Sequence, residues 1–255
     1  MGARLLAEGA EALLGGLVVV NNVWGAGPLQ AGRDYDQRVE IGDQLSDGLR
    51  MGWIWPEGPP GADGRVLAFP EVYVGRKPWG GPQGGEALPA RIQDLPALTA
   101  RWSLDWGGEG SGEDLFNVAF DLWISADPEG GEPAIRQELM VWIKPAGFPS
   151  SGAAEGRLAL SGLDGPLRVN RDHGDAAADL EKEADDAGWV YIAWLPEVGE
   201  GLRRGELDLA AFLAALSQRG LIDPSHWLMS VELGAEITGG TGWLEITEFE
   251  VTFGD

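Results

Sequence analysis

Apolar and polar residues alternate with a period of two along much of the chain. The runs "GLVVVNNVW", "GLRMGWIW", "RVLAFPEVYVG", "LTARWSLDW", "LFNVAFDLWIS", "QELMVWI", "GRLALSG", "GWVYIAWL", "HWLMSVELGAEI" and "GWLEITEFEVTF" are each of strand length and are separated by Gly, Pro and Asp. Alternation sends successive side chains to opposite faces of a sheet. Regularly spaced strands with turn residues between them predict a sandwich or a barrel. One segment changes period. In "ELDLAAFLAALSQRG", Leu209, Phe212, Leu213 and Leu216 follow helical spacing, which predicts one amphipathic helix packed on the β-structure. Asp208 is placed to cap its start and Gly220 its end. Residues 170–187, "NRDHGDAAADLEKEADDA", carry many charges and almost no large apolar groups. They read as an exposed loop or a short helix, and they lack the spacing of an EF-hand calcium loop.

The faces of several predicted strands are chemically mixed. In "RQELMVWI", Leu139, Val141 and Ile143 form an ordinary core face, while Glu138, Met140 and Trp142 share the other. Asn22 and Trp24 share a face in "NNVWG", Asp121 and Trp123 in "FDLWI", and Glu232, Gly234 and Glu236 in "VELGAEI". A single acid on an open sheet face is ordinarily just solvated. Several strands that set acids or amides beside aromatics suggest a carbohydrate surface. Sugars lie on aromatic platforms and are cleaved by carboxylate pairs, one protonating the leaving oxygen and the other attacking or activating water. Apolar neighbours such as Met140 would shift a carboxyl by desolvation.

Composition narrows the alternatives. Among 255 residues there are 12 Trp and 40 Gly, which suits turn-rich β-structure with flat apolar surfaces. Trp53 and Trp55 share a face and could be either core or site residues. With 18 basic and 41 acidic residues the net charge is −23. Such acidity excludes the basic footprint that nucleic acid needs and disfavours anionic membranes. It is compatible with a neutral ligand. The absence of Cys excludes disulfides, thiolate catalysis and Cys-based zinc sites. The two histidines, His173 and His226, stand in polar, turn-like contexts and are assigned to the surface. No Walker-type loop or nucleotide fingerprint lies in a strand-to-helix context. No run approaches the ~18 apolar residues of a transmembrane helix.

The motifs, taken in order, resemble glycoside hydrolase family 12, the small endo-β-1,4-glucanases and xyloglucanases. "NNVWG" is similar to that family's Asn-Asn-x-Trp-Gly. "FPEVYVGRKPWGG" resembles its Tyr-Pro-Glu stretch leading to Gly-x-Lys-Pro-Trp, with Phe69 in place of the tyrosine. "FNVAFDLWIS" resembles the strand that bears a helper acid, "QELMVWI" the nucleophile strand, and "SVELGAEITGGTGWLEITEFEV" the C-terminal strand and turn. The resemblance implies Glu138 as nucleophile, Glu236 as general acid/base and Asp121 as their helper, with Asn22, Trp24, Trp79, Met140 and Trp142 along the sugar subsites. It implies one catalytic domain over residues 1–255, a β-jelly-roll sandwich of two curved antiparallel sheets with an open groove on the concave side and the helix on the convex side. It also implies an endo-acting, retaining β-1,4-glucan hydrolase with no metal or cofactor. The expected partner is a β-glucan (cellulose, mixed-linkage glucan or xyloglucan) and not nucleic acid or a membrane. A secreted monomer is expected, with its leader absent from this chain.

Two other readings compete. A carbohydrate-binding sandwich would need the tryptophans but not two facing carboxyls. A purely structural sandwich would bury Trp24, Trp79 and Trp142.

Overall fold

The computed structural model describes residues 4–56, 65–173 and 188–254. Within them the chain folds into two sheets. Six strands form the smaller sheet: β1 (Arg4–Leu6), β4 (Asp36–Ile41), β5 (Leu49–Trp55), β16 (Gly240–Phe253), β8 (Leu98–Glu109) and β14 (Arg204–Asp208), in that order. The larger sheet runs β11 (Ala153–Leu160), β12 (Leu163–His173), β13 (Trp189–Trp194), β10 (Ile135–Lys144), β9 (Val118–Ser125), β15 (Trp227–Gly234), β6 (Glu71–Gly75), β3 (Leu17–Val20) and β2 (Glu11–Leu14). The short β7 (Ala90–Arg91) pairs on β15. Pairing is antiparallel except between β10 and β13. The result is a β-jelly-roll sandwich.

Alternation decides which residues meet between the sheets. Strand β5 reads buried, exposed, buried throughout, with Leu49, Met51, Trp53 and Trp55 inward. Trp102, Leu104 and Trp106 of β8 and Leu244 and Ile246 of β16 meet Phe120, Leu122, Leu139, Val141 and Val231 from the larger sheet. Trp53 and Trp55 are therefore core. The helix α1 (Leu209–Gln218) follows β14 directly, and Asp208 accepts a hydrogen bond from the Ala211 amide at 2.8 Å. It closes at Gly220, whose φ of 69° suits a glycine. Its face of Leu209, Phe212, Leu213 and Leu216 joins the same core, with Phe212 stacked on Trp194. That places the helix on the inner side of the larger sheet and leaves the sheet's outer face open.

The charged segment divides. Residues 170–173 complete β12, so they are strand and not loop or helix, because pairing with β13 satisfies their backbone. Residues 174–187 lie outside the described residues. No helix among the described residues is long and apolar enough to cross a membrane.

Candidate functional site

The outer face of the larger sheet is set by cross-strand register. Glu138 pairs with Trp123, and Met140 with Asp121. Asp121 pairs in turn with Glu232, and Glu232 with Tyr73. Glu71 pairs with Gly234. On the other flank Glu138 pairs with Tyr191, and Trp189 with His173. Four neighbouring strands thus bring four acids to one surface, and Glu236 joins them two residues beyond the end of β15.

Glu138 is largely buried. Its Oε2 accepts a 2.7 Å hydrogen bond from Trp189 Nε1, and His173 Nε2 stands 3.7 Å away. Burial raises its carboxyl to about 8, the Trp189 donor opposes that rise, and the charge of Glu236 adds to it. Glu236 is held at both ends by Asn117. The Asn117 amide donates to Oε2, and the Glu236 backbone N–H donates to Asn117 Oδ1 at 2.9 Å. Burial raises Glu236 to about 7, with the Asn117 donor opposing. Gly234 makes this turn possible, since a Cβ there would stand 2.5 Å from the Pro70 carbonyl oxygen and 3.0 Å from Phe69. Asp121 is 5% exposed, and burial followed by the charges of Glu138 and Glu232 pushes its carboxyl well above the usual range. Tyr191 lies among these acids. Its hydroxyl donates to Met140 Sδ at 3.3 Å, and its own ionisation is pushed up by burial and by the charges of Glu236, Glu138 and Asp121.

Beside this group stands a second one. Lys77 reaches Glu71 at 2.8 Å and Glu232 at 2.5 Å, and all three are buried. Ser230 donates to Glu232 at 2.7 Å and Asn22 to Glu71 at 3.1 Å. The sharp return from β6 to Lys77 runs through Gly75, whose φ is 92°.

The expected subsite residues separate. Trp24 and Trp79 are 54% and 50% exposed. Trp79 meets Trp123 edge to face at 5.0 Å, and Trp123 meets Trp189 at 5.4 Å. Met140 and Trp142 do share the face of Glu138, but they are 1% and 3% exposed, which corrects their expected place against a sugar. Tyr191 covers Met140 and Phe148 packs on Trp142, so both form backing behind the acids. Asn22 and Trp24 do not share a strand face. Strand β3 ends at Val20, and the Asn22 side chain is taken up by Glu71.

Sequence reasoning missed Trp189, His173, Asn117 and Lys77. The surface assignment of His173 is corrected, since its ring is packed against Trp189 and Tyr191 and burial lowers its basicity. Alternation in "GWVYIAWL" puts Trp189 and Tyr191 on one face and could have found them. Among the described residues no group of His, Cys, Asp and Glu is arranged to hold a metal.

A sandwich whose larger sheet turns acids and indoles outward has the form of a β-jelly roll with a candidate carbohydrate face. The chain resembles glycoside hydrolase family 12, and shares its fold. It superposes on a family 12 xyloglucanase from Bacillus licheniformis with a TM-score of 0.80, 19% identity, and 98% and 99% of the two chains covered. An endoglucanase from Rhodothermus marinus gives a TM-score of 0.74 at 26% identity, with 98% of each chain covered. In sequence, endoglucanase S of Pectobacterium parmentieri is 24% identical over 237 residues, which is 91% of this chain and 79% of that protein. No family model matches the chain.

Proposed function

We propose that this protein is an endo-acting β-1,4-glucan hydrolase that retains anomeric configuration. The observation that carries the reading is the pair Glu138 and Glu236. Both carboxyls are raised by burial, each is fixed by a side-chain N–H donor, and among the described residues neither is ion-paired to a lysine or arginine. The relatives' names, endoglucanase and xyloglucan-specific endo-β-1,4-glucanase, support the substrate class.

In the first step the Glu138 carboxylate attacks the anomeric carbon. The glycosidic C–O bond breaks, and Glu236 gives its proton to the departing oxygen. In the second step Glu236 takes a proton from water, the resulting oxygen displaces Glu138 from the sugar, and one water has been consumed. One proton shared by two carboxyls is the working state. The values of about 8 and about 7 therefore belong to the pair. Attack requires the proton to sit on Glu236 and the charge on Glu138; the Trp189 donor and the Lys77 ammonium favour that anion, while burial and the charge of Glu236 oppose it. Asp121 acts through Glu138 as a positioning residue. Burial and the charges of Glu138 and Glu232 favour its neutral form, which limits negative charge behind the nucleophile.

Trp24 and Trp79 offer exposed indoles for the apolar faces of pyranose rings, and Asn22 supports the site from behind by donating to Glu71. The chain acts as one catalytic domain, outside the cell, on polymer too long to be enclosed. A carbohydrate-binding module would bind the same polymer without needing the second acid. The test is release of reducing ends from mixed-linkage glucan, xyloglucan and cellulose, with Glu138→Gln as the blank. Release by the wild type that disappears in the variant supports the reading, and binding without release by the wild type replaces it with the module.

A further inference from the structure

The outward face of the smaller sheet breaks the rule that its inward face obeys. Along β16 the outward residues are Thr241, Trp243, Glu245 and Thr247, so a tryptophan stands where polar residues otherwise do. Trp243 is 38% exposed and lies in the middle of the sheet. Its cross-strand partners are Gly52 on β5 and Gly107 on β8. Neither offers a side chain. A Cβ on Gly107 would stand 2.8 Å from Trp243 Nε1 and 3.0 Å from Cε2, so the indole lies down over that backbone. The next outward position along β5, Ile54, is 58% exposed.

A shallow cleft of about 300 Å³ opens here, lined by Arg38, Glu40, Arg50, Met51, Gly52 and Trp243. Its charges are balanced locally. Arg50 donates from Nε to Glu245 at 2.8 Å, and Arg38 is paired with Asp36. A flat apolar plate is thus rimmed by both donors and acceptors, without a strong field of either sign. That is the complement of a neutral pyranose ring, which has an apolar C–H face and hydroxyls around its edge. A protein partner fits poorly. Stable interfaces bury about 800 Å² on each side around an apolar centre, and on this face the indole, Ile54 and the edge residue Leu5 stand amid charges. Nucleic acid is excluded by the net charge of −23.

We propose that Trp243, with Arg38 and Arg50 at its rim, forms a second carbohydrate site that holds a β-glucan strand on the side of the sandwich opposite the catalytic face. This rests on the function proposed above, because the occupant is the same polymer. A long chain held at two points raises its effective concentration at the acids. Short oligosaccharides cannot span both sites and gain nothing.

The experiment compares Trp243→Ala with the wild-type sequence, both carrying Glu138→Gln, by affinity electrophoresis in mixed-linkage β-glucan. The same substitution in the active enzyme is assayed on the polymer and on an aryl cellobioside. Loss of one stacking partner should weaken polymer retention roughly threefold to tenfold and raise KM on polymer, while kcat/KM on the aryl substrate stays unchanged. Trp243→Phe should restore most of the retention. Arg38→Ala, at a side chain 62% exposed, gives the same answer should Trp243→Ala fold poorly, and should also weaken retention. If polymer retention is unchanged in both Trp243→Ala and Arg38→Ala while the wild type still cleaves polymer, the indole merely shields the Gly107 backbone and this proposal falls alone. If the wild type neither binds nor cleaves any β-glucan, both this site and the proposed function fall.

Discussion

Two sets of carboxyls lie side by side on one sheet face, and the protein treats them in opposite ways. Glu71 and Glu232 are fully buried, but Lys77 sits between them and donors from Asn22 and Ser230 complete the set. Glu138 and Glu236 are less buried, each has a neutral donor, and among the described residues neither is paired with a lysine or arginine; the His173 ring near Glu138 is itself made less basic by burial. An ion pair fixes protonation and makes an acid part of the framework. A neutral donor fixes position and leaves the proton exchangeable. The same side chain on the same face becomes scaffold or chemistry according to which partner the neighbouring strand supplies. Asp121 stands between the sets, facing Met140 on one side and Glu232 on the other.

The largest effect that can break this comparison is expected at Glu138. Glu138→Gln keeps the size and the Trp189 contact but removes the proposed nucleophile, and turnover of polymer should fall by roughly four to six orders of magnitude. Binding of cellotetraose, followed by tryptophan fluorescence, should persist. Glu236→Ala should cost roughly 10²–10⁴-fold on polymer and much less on aryl glycosides with good leaving groups, with azide restoring turnover. Equal loss on both substrates would place Glu236 with the scaffold acids.

Lys77→Met tests the other set. It leaves two buried carboxyls without their counter-ion, and breaking such a pair costs about 3–5 kcal/mol, to be read from urea unfolding. A cost no larger than that of an exposed lysine would mean that Glu71 and Glu232 are held by their neutral donors alone. Asp121→Asn is close in shape to the neutral form that burial favours, so the fold should be kept and activity should fall only about tenfold, with a displaced pH–rate profile. An unchanged profile would move Asp121 out of the site.

The smallest expected effect is on stability. Glu138 and Glu236 hold protons in the folded protein up to about 8 and about 7, whereas unfolded glutamates release them near 4.3. Between these values the native state binds more protons than the unfolded one, so stability declines as pH rises from about 4.3 towards 8. Replacing either acid with Gln removes that acid's share of the decline. Glu138→Gln should melt higher than the wild type at pH 8, by about 2–4 °C for each kcal/mol relieved, and no higher at pH 4. A gain that is equal at both pH values would show that packing, not charge, was relieved.

Much of the fold was legible because strands buried on one face must alternate. Strands β5, β8 and β16 announce themselves this way; β9, β10 and β15, buried on both faces, are marked by nearly continuous apolar runs, and the helix by its own period. Strands β1, β2 and β14 lie at or near sheet edges and are mostly exposed, so no apolar period marks them. Strand β12 contains Gly165 and Pro166 and ends in charges, and only its pairing with β11 and β13 makes it a strand. The acids of the site were legible as types in a pattern. Their division into two sets was not, because Lys77 reaches Glu232 across 155 residues of sequence. A hint existed, since the chain has only three lysines and one follows the β6 strand directly in "GRKPWGG".

The place of β16 has a consequence for the order of assembly. This strand, Gly240–Phe253, is not at the rim of the smaller sheet but in its middle, paired with β5 on one side and β8 on the other. Until it arrives, β1, β4 and β5 have no connection to β8 and β14 through hydrogen bonds, and the Trp53, Trp102 and Trp106 indoles lack the strand that lies between them. Pairings of such long sequence separation are slow to form. The smaller sheet therefore cannot close until β16 is available to join its two halves.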